Sequence, residues 1–273
     1  MKFFSYLSIE RVLIKLNQCL FLHETMKRNT RLSIFAKAPV PGAVKTRLIP
    51  ALGARGAAAL QGALTRHTLA TAARSGLDCE LWCHPGPEHP LFRDCVRNFG
   101  RAEFRADTAS GNRRQPMDEP AEHNRRDLPC PALVLRTQVG NHLGERMAYA
   151  ARTGLATGPV ILIGTDCPTL TAADLGGASM ALAQEDNDAV LGPALDGGYY
   201  LLGLRRIHPC LFTDMAWGSD RVLAETRARL RALDWRWWEL PPRRDIDRPD
   251  DLPFLPGEFE KMMSAKGLVV RST

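Results

Sequence analysis

Long hydrophobic runs are missing from this sequence of 273 residues. A helix that crosses a bilayer needs roughly twenty consecutive apolar residues, so no membrane span and no membrane partner are predicted. The apolar N-terminal stretch also lacks the clean core of an export signal, because it carries Glu10, Arg11 and Lys15. We interpret residues 1–30 as an N-terminal extension, with Met26 as a candidate start of translation, and we expect a cytoplasmic protein.

Several common site motifs are also absent. The seven cysteines include no C-x-x-C pair, which argues against a zinc ribbon or a redox dithiol. Cys79 and Cys83 flank Trp82 in an apolar run and are predicted to be buried thiols, as in a reducing cytoplasm. The sequence has no G-x-x-x-x-G-K-[ST] and no G-x-S-x-G, and no G-x-G-x-x-G follows its first strand. P-loop NTPases, serine hydrolases of that type and dinucleotide-binding proteins are therefore excluded.

Positive charge is present but dispersed. The net charge is +6 and the pI is about 9.1, yet the arginine pairs are short and scattered, and no RNA-binding aromatic signature accompanies them. We therefore expect small phosphorylated ligands as partners and no nucleic acid.

Apolar runs of strand length alternate with amphipathic helical patterns from residue 31 onward, which predicts an α/β fold with a mostly parallel central sheet covered on both faces. The predicted strands are Leu32–Ala36, Cys79–Cys83, Ala132–Leu135, Val160–Gly164, Ala189–Gly192, Tyr199–Leu204 and Arg236–Leu240. The predicted helices are Ala54–Ala73, Leu143–Leu155, Ala172–Ala183 and Asp220–Leu233. Residues 107–131 are rich in proline and poor in apolar side chains, so we expect a flexible insertion there.

The first predicted strand runs into a loop that carries three cations, Lys37, Lys45 and Arg47, interrupted by Pro41 and Gly42. Open α/β sheets bind ligands at the carboxyl ends of their strands, so this loop is a candidate phosphate site. An ordinary basic surface loop explains the same residues equally well.

Two carboxylates follow other strands. Asp166 comes directly after Val160–Gly164, and Asp247 follows the last predicted strand. Mg²⁺ and Mn²⁺ prefer one or two carboxylates together with phosphate oxygens, so the pair is a candidate metal site. Alternatively, Asp166 caps a turn and Asp247 is the N-cap of a final helix.

A third motif, Asp196-Gly197-Gly198, joins two apolar strands. Asp-Gly is a strong hairpin signal by itself. In the functional interpretation, Gly197 and Gly198 allow a substrate to approach the backbone, while Asp196 contacts it as a candidate catalytic base.

Taken together, these motifs resemble the DUF2064 family, glycosyltransferase-like members of the nucleotide-diphosphosugar transferase superfamily that include arsenosugar biosynthesis glycosyltransferases. The resemblance rests on F-A-K-A-P-V-P-G-x-V-K-T-R-L from Phe35, L-G-E-R-M from Leu143, I-G-T-D-C-P from Ile163, D-G-G-Y from Asp196, W-G-S-D from Trp217 and D-I-D-x-P-x-D-L from Asp245.

The resemblance implies a GT-A-like, Rossmann-related three-layer sandwich over residues 31–255, followed by a C-terminal tail at 256–273. It implies an enzyme that uses Mg²⁺ or Mn²⁺ to transfer the glycosyl group of a nucleotide-diphosphate sugar to a small acceptor. A nucleotidyltransferase that releases pyrophosphate from a nucleoside triphosphate is the alternative, and a non-catalytic nucleotide-sugar-binding protein is a third. By similarity, Lys37, Lys45 and Arg47 would contact phosphates, Asp166 and Asp247 would bind the metal, and Gln138, Gly140, Glu145 and Arg146 would line the pocket.

Overall fold

The computed structural model describes residues 30–99 and 133–265. The predicted insertion and the N-terminal extension up to Asn29 lie outside these residues, as do residues 266–273. None of the helices in the described ranges is both long and apolar enough to cross a membrane.

Seven strands form one sheet in the order β3-β2-β1-β4-β6-β5-β7. Only β6 runs antiparallel to its neighbours, so the sheet is mostly parallel, as predicted. The strands are β1 (Arg31–Lys37), β2 (Asp78–His84), β3 (Leu133–Thr137), β4 (Val160–Ile163), β5 (Ala189–Pro193), β6 (Tyr199–Leu204) and β7 (Trp237–Glu239). All seven lie where the apolar runs predicted them.

Six α-helices accompany the sheet in the described residues. They are α1 (Ile49–Ser75), α2 (Pro90–Asn98), α3 (Leu143–Leu155), α4 (Ala172–Ala183), α5 (Val222–Ala232) and α6 (Gly257–Ala265), with short 3₁₀ helices at Thr46–Leu48, Pro209–Leu211 and Pro249–Phe254. A kink at Gly53, where φ is 69°, interrupts α1, so its long segment starts at Ala54, as expected. The sequence did not predict α2, and the first part of the predicted tail contains α6.

The core lies on both faces of the sheet, which gives three layers. Side chains of α1, α2 and α4 pack on one face, against residues such as Ile161 and Ile163 of β4. Side chains of α3 and α5 pack on the other face, against Val160 and Leu162 of the same strand. Because successive residues of a strand point to opposite faces, a strand covered on both sides must be apolar throughout. The sequence Val-Ile-Leu-Ile of β4 meets that need, and all four residues are buried.

The order of the strands sets the position of a crevice. From β1 the chain adds β2 and β3 on one side, then returns to place β4 on the other side of β1. Open α/β sheets bind ligands outside the carboxyl ends of the strands at such a reversal. The residues that follow β1 and β4 are therefore the first place to look for a site.

Cys79 and Cys83 are buried free thiols, as predicted. Burial raises the pKa of Cys83 to about 12, which keeps this thiol protonated and unreactive.

Candidate functional site

A cavity of about 600 Å³ opens at the carboxyl edge of the sheet, where β1 and β4 end. Its walls combine ionic and apolar side chains. Eight of the residues that were selected from the sequence line this cavity. They are Lys37, Lys45, Asp166, Asp196, Gly198 and Asp247, together with Gln138 and Arg146. Residues from five distant segments of the chain thus meet at one edge.

The loop that carries Asp166 is held from two sides. The adjacent Thr165 is buried, and its Oγ1 accepts a hydrogen bond of 3.0 Å from Nε2 of Gln61, a buried residue of α1. The backbone N–H of Ile246 donates to the carbonyl of Asp166 at 2.8 Å. These contacts fix the backbone, while the Asp166 side chain remains 43% exposed at the cavity.

The cations of the first loop lie against the two predicted metal ligands. Lys45 Nζ is 2.6 Å from Asp166 Oδ1 and 3.9 Å from Asp247 Oδ1, and it donates to the carbonyl of Ile246. Arg47 pairs with Asp247 at 2.5 Å. The V-K-T-R-L and D-I-D motifs, about 200 residues apart in sequence, are therefore direct neighbours.

The other phosphate-binding predictions separate into two groups. Lys37 at the end of β1 is exposed and lines the cavity, as does Gly198. Pro41 instead lines a separate shallow groove, and Gly42, Arg47 and Gly197 are not among the residues that line the cavity. Whether any of these residues contacts phosphate stays a prediction.

The Asp196-Gly197-Gly198 turn packs against the W-G-S-D motif. Gly197 has φ of 89°, and a Cβ added there would lie 2.1 Å from the carbonyl oxygen of Asp220. The carbonyl of Gly197 accepts a hydrogen bond of 2.9 Å from the N–H of Leu223. Asp196 Oδ1 accepts from the N–H of Gly198 at 2.9 Å, which orients the carboxylate within its own turn. The glycine is thus needed for close packing, and it brings Asp196 and Trp217 into one wall.

Asp245 is a site residue that the sequence reasoning did not select. Its Oδ1 is buried without a hydrogen-bond partner. Burial, reinforced by the nearby charges of Asp166 and Asp196, raises the pKa of Asp245 to about 8. These surroundings therefore favour the protonated, uncharged form of the side chain. Its place in the D-I-D motif was a signal, but spacing alone does not tell which carboxylate is buried.

The aromatic wall was also missed as a feature of the site. Tyr199 and Trp217 line the cavity with their rings 6.5 Å apart, edge to face. Both carry a buried polar atom, the Tyr199 hydroxyl and Trp217 Nε1, without a hydrogen-bond partner. The D-G-G-Y and W-G-S-D motifs contain these residues, so the signal was present in the sequence.

The resemblance placed Gln138, Gly140, Glu145 and Arg146 at the pocket. Gln138 and Arg146 line the cavity, whereas Gly140 and Glu145 are not among its lining residues. Gln138 Nε2 donates to the carbonyl of Trp82 at 2.8 Å and to that of Ala36 at 3.3 Å. These bonds connect the ends of β1 and β2. Arg146 Nε donates to the carbonyl of Gly140 at 2.9 Å, which orients this cation on α3.

The donor set suits a hard divalent cation. Asp166 and Asp247 offer carboxylate oxygens, and both lie within 4 Å of a single cation, the Lys45 ammonium. Asp166 Oδ1 is buried and has no partner in hydrogen-bond geometry, despite this ion pair. Across residues 30–99 and 133–265, no group of three or more His, Cys, Asp or Glu side chains is arranged to hold a metal. A bound ion would need phosphate oxygens and water as further ligands, and Mg²⁺ in proteins is usually bound in this way.

Comparison with known families confirms the resemblance. Residues 109–219 match the model of a family described as "Uncharacterized protein conserved in bacteria (DUF2064)". The matched range contains the L-G-E-R-M, I-G-T-D-C-P and D-G-G-Y motifs. No curated protein matches the sequence.

A solved structure shares the fold. A "putative nucleotide-diphospho-sugar transferase" from Desulfovibrio desulfuricans G20 is 25% identical, with a TM-score of 0.68 over 88% of this chain and 96% of that one. The predicted GT-A-like fold is thereby confirmed. Another match, 4-diphosphocytidyl-2C-methyl-D-erythritol synthase from Anaerococcus prevotii DSM 20548, is 10% identical, covers 86% and 99% of the two chains and has a TM-score of 0.48. That score is too low to support any conclusion about this chain.

Proposed function

We propose that this protein is a metal-dependent transferase that binds a nucleotide-diphosphate sugar in the cavity and transfers its glycosyl group to a small acceptor. The observation that carries the proposal is the meeting of two carboxylates, Asp166 and Asp247, with the cationic side chains of Lys37 and Arg146 at one cavity on the carboxyl edge of the sheet. A diphosphate accompanied by a divalent cation needs both kinds of group. The similarity to the Desulfovibrio protein supports the same class of ligand.

Each part of the cavity has a task in this proposal. Lys37 and Arg146 attract and orient the diphosphate, and their positive charges stabilise the negative charge that develops on it as it leaves. Asp166 and Asp247 would hold Mg²⁺ or Mn²⁺, and the ion, when bound, offsets charge on the departing diphosphate. The buried Gln61–Thr165 hydrogen bond holds the Asp166 loop in place for this purpose.

The acceptor is assigned to the wall formed by the D-G-G-Y and W-G-S-D motifs. Tyr199 and Trp217 offer aromatic faces, and Asp196 is the carboxylate at that wall. Asp196 is our candidate for the group that accepts the proton of an attacking hydroxyl. Its hydrogen bond with the N–H of Gly198 orients the carboxylate before an acceptor arrives.

Product analysis tests the reaction class. The protein is incubated with Mn²⁺ or Mg²⁺ and either nucleotide sugars or nucleoside triphosphates. Release of a nucleoside diphosphate from an activated sugar is expected, whereas release of pyrophosphate from a triphosphate would establish a nucleotidyltransferase instead. Metal-dependent binding without any turnover would indicate a nucleotide-sugar-binding protein.

Calorimetry on one variant tests the metal ligand. Asp166→Asn should remove the metal-dependent part of nucleotide affinity, with a loss of about tenfold or more, because one of two carboxylate ligands is neutralised. Asp186→Asn is the matched control, since Asp186 is 86% exposed and precedes β5 at the opposite edge of the sheet. Equal metal-dependent affinities for both variants and the unmodified protein would contradict the assignment.

A further inference from the structure

Lys45 lies between the two carboxylates assigned to the metal. Its ammonium is 2.6 Å from Asp166 Oδ1, 3.9 Å from Asp247 Oδ1 and 2.5 Å from the carbonyl oxygen of Ile246. Three oxygen atoms therefore surround one positive charge, an arrangement that would also suit a metal ion. The side chain is only 3% exposed.

The backbone at Lys45 has an unusual conformation. Its φ of 47° is in the left-handed region, which residues with a Cβ rarely adopt. The neighbouring Val44 and Leu48 are buried at 3% and 0% exposure and anchor the turn on both sides. A buried ammonium is tolerated only when it is paired. If the Lys45 ammonium moved out toward a phosphate, the Asp166 carboxylate and the Ile246 carbonyl would lose their present partner.

Each of the two carboxylates already has a cationic partner without a metal. Arg47 pairs with Asp247 at 2.5 Å, while Lys45 pairs with Asp166. The two cations match the two carboxylates one for one. Arg47 differs from Lys45 in being 54% exposed, so solvent screens its charge more strongly.

We propose that Lys45 is an internal counter-cation of the Asp166–Asp247 pair, which keeps a divalent ion from binding until the diphosphate of the nucleotide arrives. This inference rests on the proposed function, because it takes these carboxylates to be metal ligands. A cation this close to a ligand oxygen repels a second cation that approaches the same oxygen. The phosphates add both ligand atoms and negative charge, so metal and nucleotide bind together and not the metal first.

Binding of Mn²⁺ alone, followed by calorimetry or by its electron paramagnetic resonance signal, tests the role of Lys45. Lys45→Met and Lys45→Gln should bind Mn²⁺ at least about tenfold more tightly than the unmodified protein, since the repulsion between a single and a double charge is removed. Lys45→Arg keeps the charge and should bind as weakly as the unmodified protein. Arg47→Met, the matched control, should change the affinity less than Lys45→Met. Neutral variants that bind Mn²⁺ no more tightly than the unmodified protein would overturn the proposal.

A second comparison does not depend on the folding of any Lys45 variant. Without nucleotide, the unmodified protein and Asp166→Asn should bind Mn²⁺ equally weakly, because Lys45 occupies the carboxylate in the unmodified protein. If, without nucleotide, the unmodified protein bound Mn²⁺ clearly more tightly than Asp166→Asn, the proposed role of Lys45 would be overturned.

With a nucleoside diphosphate present, the unmodified protein should bind Mn²⁺ more tightly than Asp166→Asn. Absence of that difference would count against the proposed function itself. A failure of the Lys45 proposal is thus seen without nucleotide, and a failure of the proposed function is seen with nucleotide.

Discussion

At the scale of single residues, Gly197 shows how a small side chain can determine a site wall. We predict that Gly197→Ala lowers the free energy of unfolding by about 3 kcal/mol, because the new Cβ meets the Asp220 carbonyl at 2.1 Å and the residue keeps a φ of 89°. Gly218→Ala is the matched control, with φ of 83° but no atom within 4 Å of the new Cβ. It should cost only about 1 kcal/mol.

Urea unfolding monitored by tryptophan fluorescence measures both changes. If Gly197→Ala lowered the free energy of unfolding no more than Gly218→Ala, the close contact with the Asp220 carbonyl would not contribute to stability.

Residue types and their places after strands were sufficient to select Asp166 and Asp247 as candidates. They were not sufficient to assign partners to the cations. That Lys45 contacts a phosphate stays a prediction, but no local pattern indicated that its ammonium contacts the carbonyl of Ile246, 201 positions further along the chain. A contact of that separation depends on how the whole sheet folds, which local spacing does not encode.

At the scale of elements, the start of α4 couples a helix cap to an ion pair. Thr171 and Asp174 form a capping box, and Arg243 donates to Asp174 at 2.6 Å. Burial alone would raise the pKa of Asp174, but the hydrogen bonds from Thr171 and Arg243 outweigh it and hold this pKa below its usual value. The ionised carboxylate therefore favours the folded state.

A pH dependence follows from the lowered pKa of Asp174. A carboxyl whose pKa is lower in the folded protein stabilises the fold above its unfolded pKa of about 3.9, and that contribution is lost as the pH falls through the folded value. Asp174→Asn should thus be less stable than the unmodified protein at pH 7, and the difference should shrink below about pH 4. Urea unfolding across this range measures it, and the control Asp186→Asn should show almost no difference. A difference in the free energy of unfolding that stays constant with pH would show that the charge of Asp174 does not cause it.

The elements themselves were predicted to different degrees. All seven strands were identified because each buried strand is a short, nearly continuous apolar run. The nine-residue helix α2 was not, since its apolar signal consists mainly of Leu91, Phe92 and Cys95 among charged neighbours. A helix this short is stabilised by packing on the sheet more than by its own propensity.

At the scale of the whole molecule, α6 connects the C-terminal part of the chain to the site. Phe259 packs in a small core with Leu60 and Leu64 of α1, and this core includes Ile246. The carbonyl of Ile246 contacts Lys45, while its N–H contacts the carbonyl of Asp166. Packing outside the cavity thus supports the position of the ionic cluster.

Replacement of Phe259 tests this long-range support. Phe259→Ala should lower the free energy of unfolding by about 3–5 kcal/mol, since the side chain is 4% exposed and leaves a cavity behind. Phe254→Ala is the matched control: Phe254 is 56% exposed and has Arg244 4.0 Å from its ring centre. Phe254→Ala should lower the free energy of unfolding by about 1 kcal/mol or less. Similar losses measured by urea unfolding would mean that α6 contributes little to the core.

The sequence by itself determined the α/β class, the strands and the edge of the sheet where Asp166 and Asp247 would lie, because hydrophobic period and turn residues are local properties. Only the tertiary structure decided which charges pair. Lys45 and Arg47 contact carboxylates, Asp245 is buried with a raised pKa, and Gly197 packs on Asp220. Each of these outcomes depends on burial and on distances between segments far apart in the chain, and such distances exist only after the sheet has assembled.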